Sequence, residues 1–324
     1  MSSIRSFSST LLLALLPLGF LIVMVVAPLV ALAFYDGSAW GGVLRDDYMQ
    51  HLILWTAFQA LATCVLAGIL GVPAAWVLAR LDFRGRALVL RLLMLPFVMP
   101  TLVAGMGVLA LFGTNGAVWA GWQDTPYLLI YGNVFFNLPV LVRAAYQGFL
   151  QVPEARLQTA QALGAGAWQR FLRVEWPVLR PWLAGGLCLV FLYCFSGFGL
   201  ALLLGGDRYA TVEVEIYRLI AYELDMAHAA VLVWLVLGIT ALAGAAYAWL
   251  SRGTAGGGRI APLPPAKADS AGKRLLLAFA LAVLLLFCAL PLAAVLVQAA
   301  QAGGSWQVLW EEETRLAAWN TLRF

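Results

Sequence analysis

Apolar residues fall in long unbroken runs, and polar residues are pushed into the connections between them. Seven runs, at about 11–34, 52–79, 92–113, 127–150, 182–206, 227–250 and 275–299, match the roughly 20 residues that a helix needs to cross a bilayer. Each predicts a membrane-spanning helix. The first run follows Arg5 as a signal peptide would, but Leu11 to Phe34 outlasts an h-region of about 7–15 residues and more spans follow, so it reads as a retained anchor. Pro17, Pro28, Pro73, Pro96, Pro100, Pro139 and Pro291 lie inside the runs. They are tolerable there because neighbouring helices can satisfy the carbonyls that a proline frees.

Composition excludes the soluble alternatives. Of 324 residues 63% are hydrophobic and 11% charged, where a soluble domain carries about 25% charge. The net charge of +4 is too mild to suggest a nucleic-acid partner, and membrane lipids are the expected surroundings. Cys64, Cys188, Cys194 and Cys288 sit in apolar runs without a CxxC pair, and His51 and His228 are far apart in sequence. Buried, inert cysteines are expected, with no metal site and no cofactor.

The basic residues orient the spans. Arg5, the 80–91 connection, the 143–181 segment and the 251–274 segment together hold 15 Lys and Arg; the alternate connections hold four, Arg45, Arg208, Arg218 and Arg315. Both sets alternate strictly between spans, so the N-terminus and the connections 80–91, 151–181 and 251–274 are expected in the cytoplasm. Segment 253–273, rich in Gly, Ala and Pro, reads as a flexible cytoplasmic linker between a first six-span domain over 1–252 and a second domain opening at 274.

Beyond that linker the opening pattern returns. Ala27-Pro28-Leu29 is answered by Leu290-Pro291-Leu292, and Gly37-Ser38-Ala39-Trp40 by Gly303-Gly304-Ser305-Trp306. This predicts a duplication in the same orientation. The last apolar stretch, Leu316 to Phe324, would form roughly 13 Å of helix against a hydrocarbon core of about 30 Å. The expectation is a chain cut inside an eighth span, with the second copy truncated and its missing part repeating spans three to six.

The connection 151–181 carries the most distinctive pattern. Pro153 and Glu154 suit a helix start, Gly164 and Gly166 interrupt the helix, and Pro177 is expected to stop the pattern before the next span. A short helix, a turn and a second short helix follow from this, with Ala160, Leu163, Ala167, Phe171 and Val174 on one face. Small residues here admit close approach of another protein's surface, Arg170 and Arg173 charge the rim, and Trp168 and Phe171 add apolar area. An interfacial helix lying on the headgroups would also favour Arg and Trp.

The same segment resembles the cytoplasmic "EAA" loop of ATP-binding-cassette importer permeases, E-A-A-x(3)-G-x(9)-I-x-L-P. Gln158-Thr159-Ala160 opens it, Gly164 follows at the required step, and Val174, Trp176 and Pro177 close it. Gln158 replaces the leading Glu, Thr159 the first Ala and Trp176 the Leu. The resemblance implies an all-α, MetI-like type I importer domain in a bacterial inner membrane, with partners in cytoplasmic ATP-binding subunits and a periplasmic substrate-binding protein. It implies that Gln158, Thr159, Ala160, Gly164, Ala165, Phe171, Val174 and Pro177 couple to the ATPase. Runs such as Val134-Phe135-Phe136-Asn137-Leu138-Pro139 and Arg173-Val174-Glu175-Trp176-Pro177 are similar to permeases for thiamine or thiamine pyrophosphate, and ferric-iron permeases are similar too.

Spans one to six hold no mid-span Asp or Glu of the kind that ion-coupled carriers use, and no G-x-x-x-x-G-K-[ST] occurs in the chain. No catalytic residue is assigned; energy is expected from ATP hydrolysed by a partner. Asn133 and Asn137 either line a pathway or bond across helices. The remote enzymatic alternative, a membrane-embedded hydrolase using Ser196 with a histidine, would need His51 or His228 brought to it.

Overall fold

The computed structural model describes residues 2–34, 39–250 and 263–323, with side chains from position 15 onward except position 16. The first apolar run forms α1 (Ser2–Ala33), which continues through Pro17 and Pro28 and leaves side chains such as Phe20 and Met24 exposed. A short α2 (Ala39–Arg45) leads into α3 (Asp47–Arg80). Asp46 caps α3, its carboxylate accepting from the N–H of Tyr48 at 2.7 Å and of Met49 at 3.1 Å.

The third predicted span is not one helix. Short helices α4 (Arg86–Leu92) and α5 (Leu95–Val98) are followed by α6 (Thr101–Phe112), and the two arms meet at 104°. Pro100 lacks an N–H and disfavours helical geometry in the residue before it; Met99 is accordingly extended, at φ −66° and ψ 145°. Pro100 therefore breaks the span instead of being absorbed by it.

The fourth predicted span is α7 (Pro126–Leu150). After it come α8 (Glu154–Ala162), α9 (Ala167–Arg170) and α10 (Trp176–Phe195). Here too the expectation needs correcting. A π turn at Phe171–Glu175 joins α9 to α10, so one 29-residue rod runs from Ala167 to Phe195 and Pro177 does not stop it. The Trp176 N–H reaches back five residues to the Phe171 carbonyl. That wider turn shifts the carbonyl which the Pro177 ring would otherwise meet. The rod ends at Phe195, short of the expected 206, and a separate α11 (Gly199–Leu204) follows.

On the far side lie α12 (Val212–Arg218), a π turn at Leu219–Glu223 and α13 (Met226–Leu250), the sixth predicted span. The seventh comprises α14 (Ala271–Leu284), a π turn at Leu285–Ala289 and α15 (Leu290–Gln301). The Leu290 N–H again reaches back five residues, to Leu285, directly before a proline, Pro291. A 3-10 stretch, Gly303–Trp310, and α16 (Glu312–Arg323) follow. Among the described residues the one departure from an all-α fold is a two-residue parallel pairing of β1 (Leu81–Asp82) with β2 (Ala266–Lys267). The linker expected at 253–273 falls partly outside the described residues; its later part is held by β2 and by the start of α14.

Small residues set the packing distances. Along α3 a stripe of Ala60, Ala67, Gly71, Ala74 and Ala75 is buried, and α3 packs chiefly on α7, where Phe135, Leu138, Leu141 and Val142 are fully buried. A methyl at Gly71 would lie 3.2 Å from Leu138 and 3.3 Å from Val142. Helix α6 packs on α15 in the same manner: a methyl at Gly107 would lie 2.6 Å from the Pro291 carbonyl oxygen. Gly199, at the start of α11, abuts Thr101 at the start of α6, so the two broken spans meet break to break.

The ends of the bundle sort as the charge pattern requires. Arg80, Phe149, Glu175 and the β1–β2 pairing gather at one end. At the other, the Tyr48 hydroxyl donates to Glu215 at 2.9 Å, the Trp55 indole N–H to the Tyr209 carbonyl at 3.0 Å, and the Val212 N–H to Thr56 at 3.0 Å. Connections 80–91, 151–181 and 263–270 thus share one side.

Gly107→Ala should lower the midpoint of thermal unfolding in detergent, at a cost of roughly 1–3 kcal/mol, because the methyl meets rigid backbone. Gly238→Ala, whose methyl meets open space, should not lower it. Equal midpoints for both variants would contradict the close approach of α6 to α15.

Candidate functional site at the elbow

The connection between α7 and α10 is a bent elbow whose geometry follows from two glycines. Helix α8 starts after Pro153 with Glu154 in its first turn, as its sequence predicts. It ends in a Schellman motif: the Ala165 N–H donates to the Ala160 carbonyl at 2.9 Å and the Gly164 N–H to that of Gln161 at 3.0 Å. Gly164 takes φ +80°, a left-handed conformation that costs a side-chain-bearing residue roughly 1–2 kcal/mol. A methyl there would meet nothing within 4 Å, so the restriction is one of backbone, not of space. On the far side of the turn the Gln169 side chain accepts from the Gly166 N–H at 3.3 Å, starting the second helix. Arg170 reaches back to Gln161 at 3.1 Å, tying the two arms together.

The residues singled out in the sequence do not share one place. Thr159, Ala160, Val174 and Pro177 line one cleft of about 440 Å³ between the arms, together with Leu163, and Arg156 and Arg173 also border it. Gly164 and Ala165 form the turn itself. Gln158 and Thr159 bond within their own helix, Gln158 to Glu154 at 2.8 Å and Thr159 to the Ala155 carbonyl at 2.8 Å. Phe171 leaves the predicted common face: its ring stacks on Trp168 at 5.7 Å and tilts against Trp176 at 6.3 Å. Ala167 is exposed and does not line the cleft.

Leu163 is 82% exposed and Trp168 69%. They stand on the turn whose cleft Arg156 and Arg173 border and whose arms Arg170 ties together. Apolar groups raised on a turn and rimmed by charge are the anatomy of a protein-binding surface.

Behind the elbow, sequence reasoning missed a buried ion pair. Arg80, in the last turn of α3, meets Glu175 at 3.0 Å through Nη2 and 3.2 Å through Nε, and Nη2 also donates to the Phe149 carbonyl at 3.2 Å. The signal available was an acidic residue, Glu175, between Val174 and Trp176 with no basic residue three or four positions away to pair with it along a helix.

Asn133 and Asn137 are buried in a polar network between helices. Asn133 donates to Gln59 at 2.7 Å, and Gln59 donates to the Cys194 carbonyl at 2.8 Å. Asn137 donates to the Asn133 carbonyl at 3.0 Å and to Cys194 Sγ at 3.3 Å. Three helices, α3, α7 and α10, are joined through this network; Gln59 was not foreseen as its centre. Cys194 and Cys288 are buried, whereas Cys64 and Cys188 are half-buried.

The opposite end carries the acidic segment 207–225. Arg218 pairs with Asp207 at 2.7 Å and lies 3.8 Å from Glu215. Burial raises the Glu213 carboxyl above the ordinary carboxylate range. The His228 backbone N–H, then its ring, hold the Asp225 carboxyl below that range. His228 pairs with Asp225 at 2.7 Å and the Ser196 hydroxyl donates to the Leu192 carbonyl at 2.7 Å; among the described residues no hydrogen bond joins Ser196 to a histidine.

Comparison with known proteins agrees with this architecture. Residues 67–256 match the family described as "Binding-protein-dependent transport system inner membrane component". The thiamine transport system permease protein of Salmonella typhimurium is 35% identical over 206 residues, 60% of this chain and 38% of that protein. Its counterpart in Brucella abortus is 34% identical over 241 residues, 70% of this chain and 44% of that protein. This chain therefore spans less than half the length of these thiamine permeases. The sulfate transport system permease protein of Synechocystis is 31% identical over 214 residues, covering 63% of this chain and 78% of that protein. A crystal structure of a bacterial alginate ABC transporter in complex with a pentasaccharide-bound periplasmic protein aligns with a TM-score of 0.64 at 15% identity, over 76% of this chain and 93% of that chain. That likeness bears on the fold alone. With its family match and its all-helical multi-pass bundle, the chain belongs to the binding-protein-dependent inner membrane components: it is an ABC-importer permease subunit, a transport component.

Proposed function

We propose that this permease carries thiamine or its phosphates across the inner membrane, driven by separate cytoplasmic ATP-binding subunits that dock on the elbow. The observation that carries the docking reading is the left-handed Gly164 turn, which raises Leu163 and Trp168 at the spacing of the EAA loop. Gln158, Thr159, Ala160, Gly164, Ala165, Phe171, Val174 and Pro177 form the coupling surface, with the cleft receiving a partner side chain. A periplasmic substrate-binding protein delivers the solute at the opposite end, and the N-terminus is cytoplasmic.

Thiamine rests on the two similar permeases; a ferric-iron or other small solute is the alternative. Asn133 and Asn137 stand beside the pathway as positions whose bonds are exchanged when the bundle rearranges. The domain plan is a first transmembrane domain over 1–252, a linker over 253–273 and a second domain opening at 274. The order of a long helix, a short helix and a further helix in α1 to α3 recurs in α14–α15, the 3-10 stretch and α16, which supports duplication.

Gly164→Val should abolish substrate-stimulated ATPase activity in the assembled importer, while Gly164→Asn, which tolerates left-handed geometry, should retain part of it. Unchanged stimulation in the Val variant would contradict coupling through the elbow. A Leu163→Cys variant of the full-length permease should crosslink to an ATP-binding subunit carrying a surface cysteine. In vesicles containing the complete importer, labelled thiamine should accumulate with ATP and unlabelled thiamine should compete. Uptake of ferric iron without thiamine uptake would reverse the choice of substrate.

A further inference from the structure

Arg80 joins three parts of the molecule. Its guanidinium meets Glu175, the last residue of the π turn leaving the elbow, and the Phe149 carbonyl at the end of α7. The side chains are 4% and 6% exposed. The next two residues, Leu81 and Asp82, pair with Ala266 and Lys267 on the segment entering α14. Four residues later α14 begins, with Ser270 accepting from the Lys273 N–H at 3.3 Å, and α14 packs on α3.

We propose that Arg80 is a positioning residue that transmits displacement of the elbow through Glu175 to the floor of the bundle and, by way of β1 and β2, to the tether leading into the seventh span. The inference rests on the elbow being the ATPase-docking site. The physical ground is that separating a buried pair strands a charge in low dielectric, so Glu175 follows Arg80 when either moves. The pair is a poor choice if stability is its only purpose. Apolar residues of similar volume often serve as well or better in such a site, and Arg80 Nη1 stays buried with no hydrogen-bond partner among the described residues. The π turn that ends at Glu175 lies within the rod at the junction where a shift would be taken up.

The test uses the full-length permease assembled with its ATP-binding subunits and binding protein, each variant also carrying Leu163→Cys as a docking reporter. The double variant Arg80→Met with Glu175→Leu removes the pair without leaving a lone charge. Its Leu163→Cys crosslink should match the parent's, and its basal ATPase rate should stay within twofold. The stimulation by loaded binding protein should fall at least tenfold. An intact crosslink with stimulation within twofold of the parent overturns the proposal, because the pair is then structural filling. If the double variant does not assemble, Glu175→Gln, which keeps a hydrogen bond to the guanidinium, is read for the same ratio; a fall supports the proposal and an unchanged ratio overturns it. Loss of the crosslink in the parent complex itself overturns the docking reading and this proposal with it.

Discussion

A bilayer core offers no hydrogen-bond partner to a peptide group, and the whole architecture answers to that constraint. Two interruptions of the apolar helices sit against each other. The break at Met99-Pro100 lies where α6 begins, and the break at Ser196–Phe198 lies where α11 begins; Thr101 and Gly199 bring these two starts into contact. Two further prolines, Pro177 and Pro291, are accommodated differently. Each directly follows a residue whose N–H closes a five-residue turn, so the helix widens and continues. One residue type thus has three outcomes: a right-angle turn at Pro100, a locally widened rod at Pro177 and Pro291, and an unbroken α-helix at Pro17, Pro28, Pro73 and Pro139.

Close packing follows from the same lack of solvent. Lipid tails are as apolar as leucine, so helices gain by contact area and not by escape from water. The small residues of α3 and the glycines of α6 let whole backbones approach, and the large side chains of α7 fill the space between. The seventh span lies on α3, α6 and α7, so it is built into the first bundle. Polar groups that remain inside form bonds across helices, as Gln59 and Asn133 do between α3 and α7.

Much of the elbow was legible in advance. Gly164 could end α8 because a left-handed residue is needed to close a Schellman motif and glycine adopts that conformation at least cost. Helical spacing puts Ala160 and Val174 on one face, the EAA resemblance adds Pro177, and the three line one cleft. Phe171 was misplaced on the shared face because helical periodicity was assumed across residues that form a π turn. Pro177 does not act as a stop for the same reason: local rules describe a ring in an α-helix, and the register changes in the Phe171–Glu175 turn just before it.

The distribution of apolar and basic residues by itself determined that this chain is a helical membrane protein, where most spans lie, and which connections share a side. Those are consequences of solvent and length, which act on each segment separately. Only the tertiary structure decided that the third span breaks, that the seventh packs into the first bundle, and that Arg80 finds Glu175. These outcomes depend on which partner a freed carbonyl, a glycine face or a buried charge meets, and such partners lie 95 residues apart in the case of the ion pair. No pattern within either segment carries that information, because the energy of each contact exists only once both sides are in place.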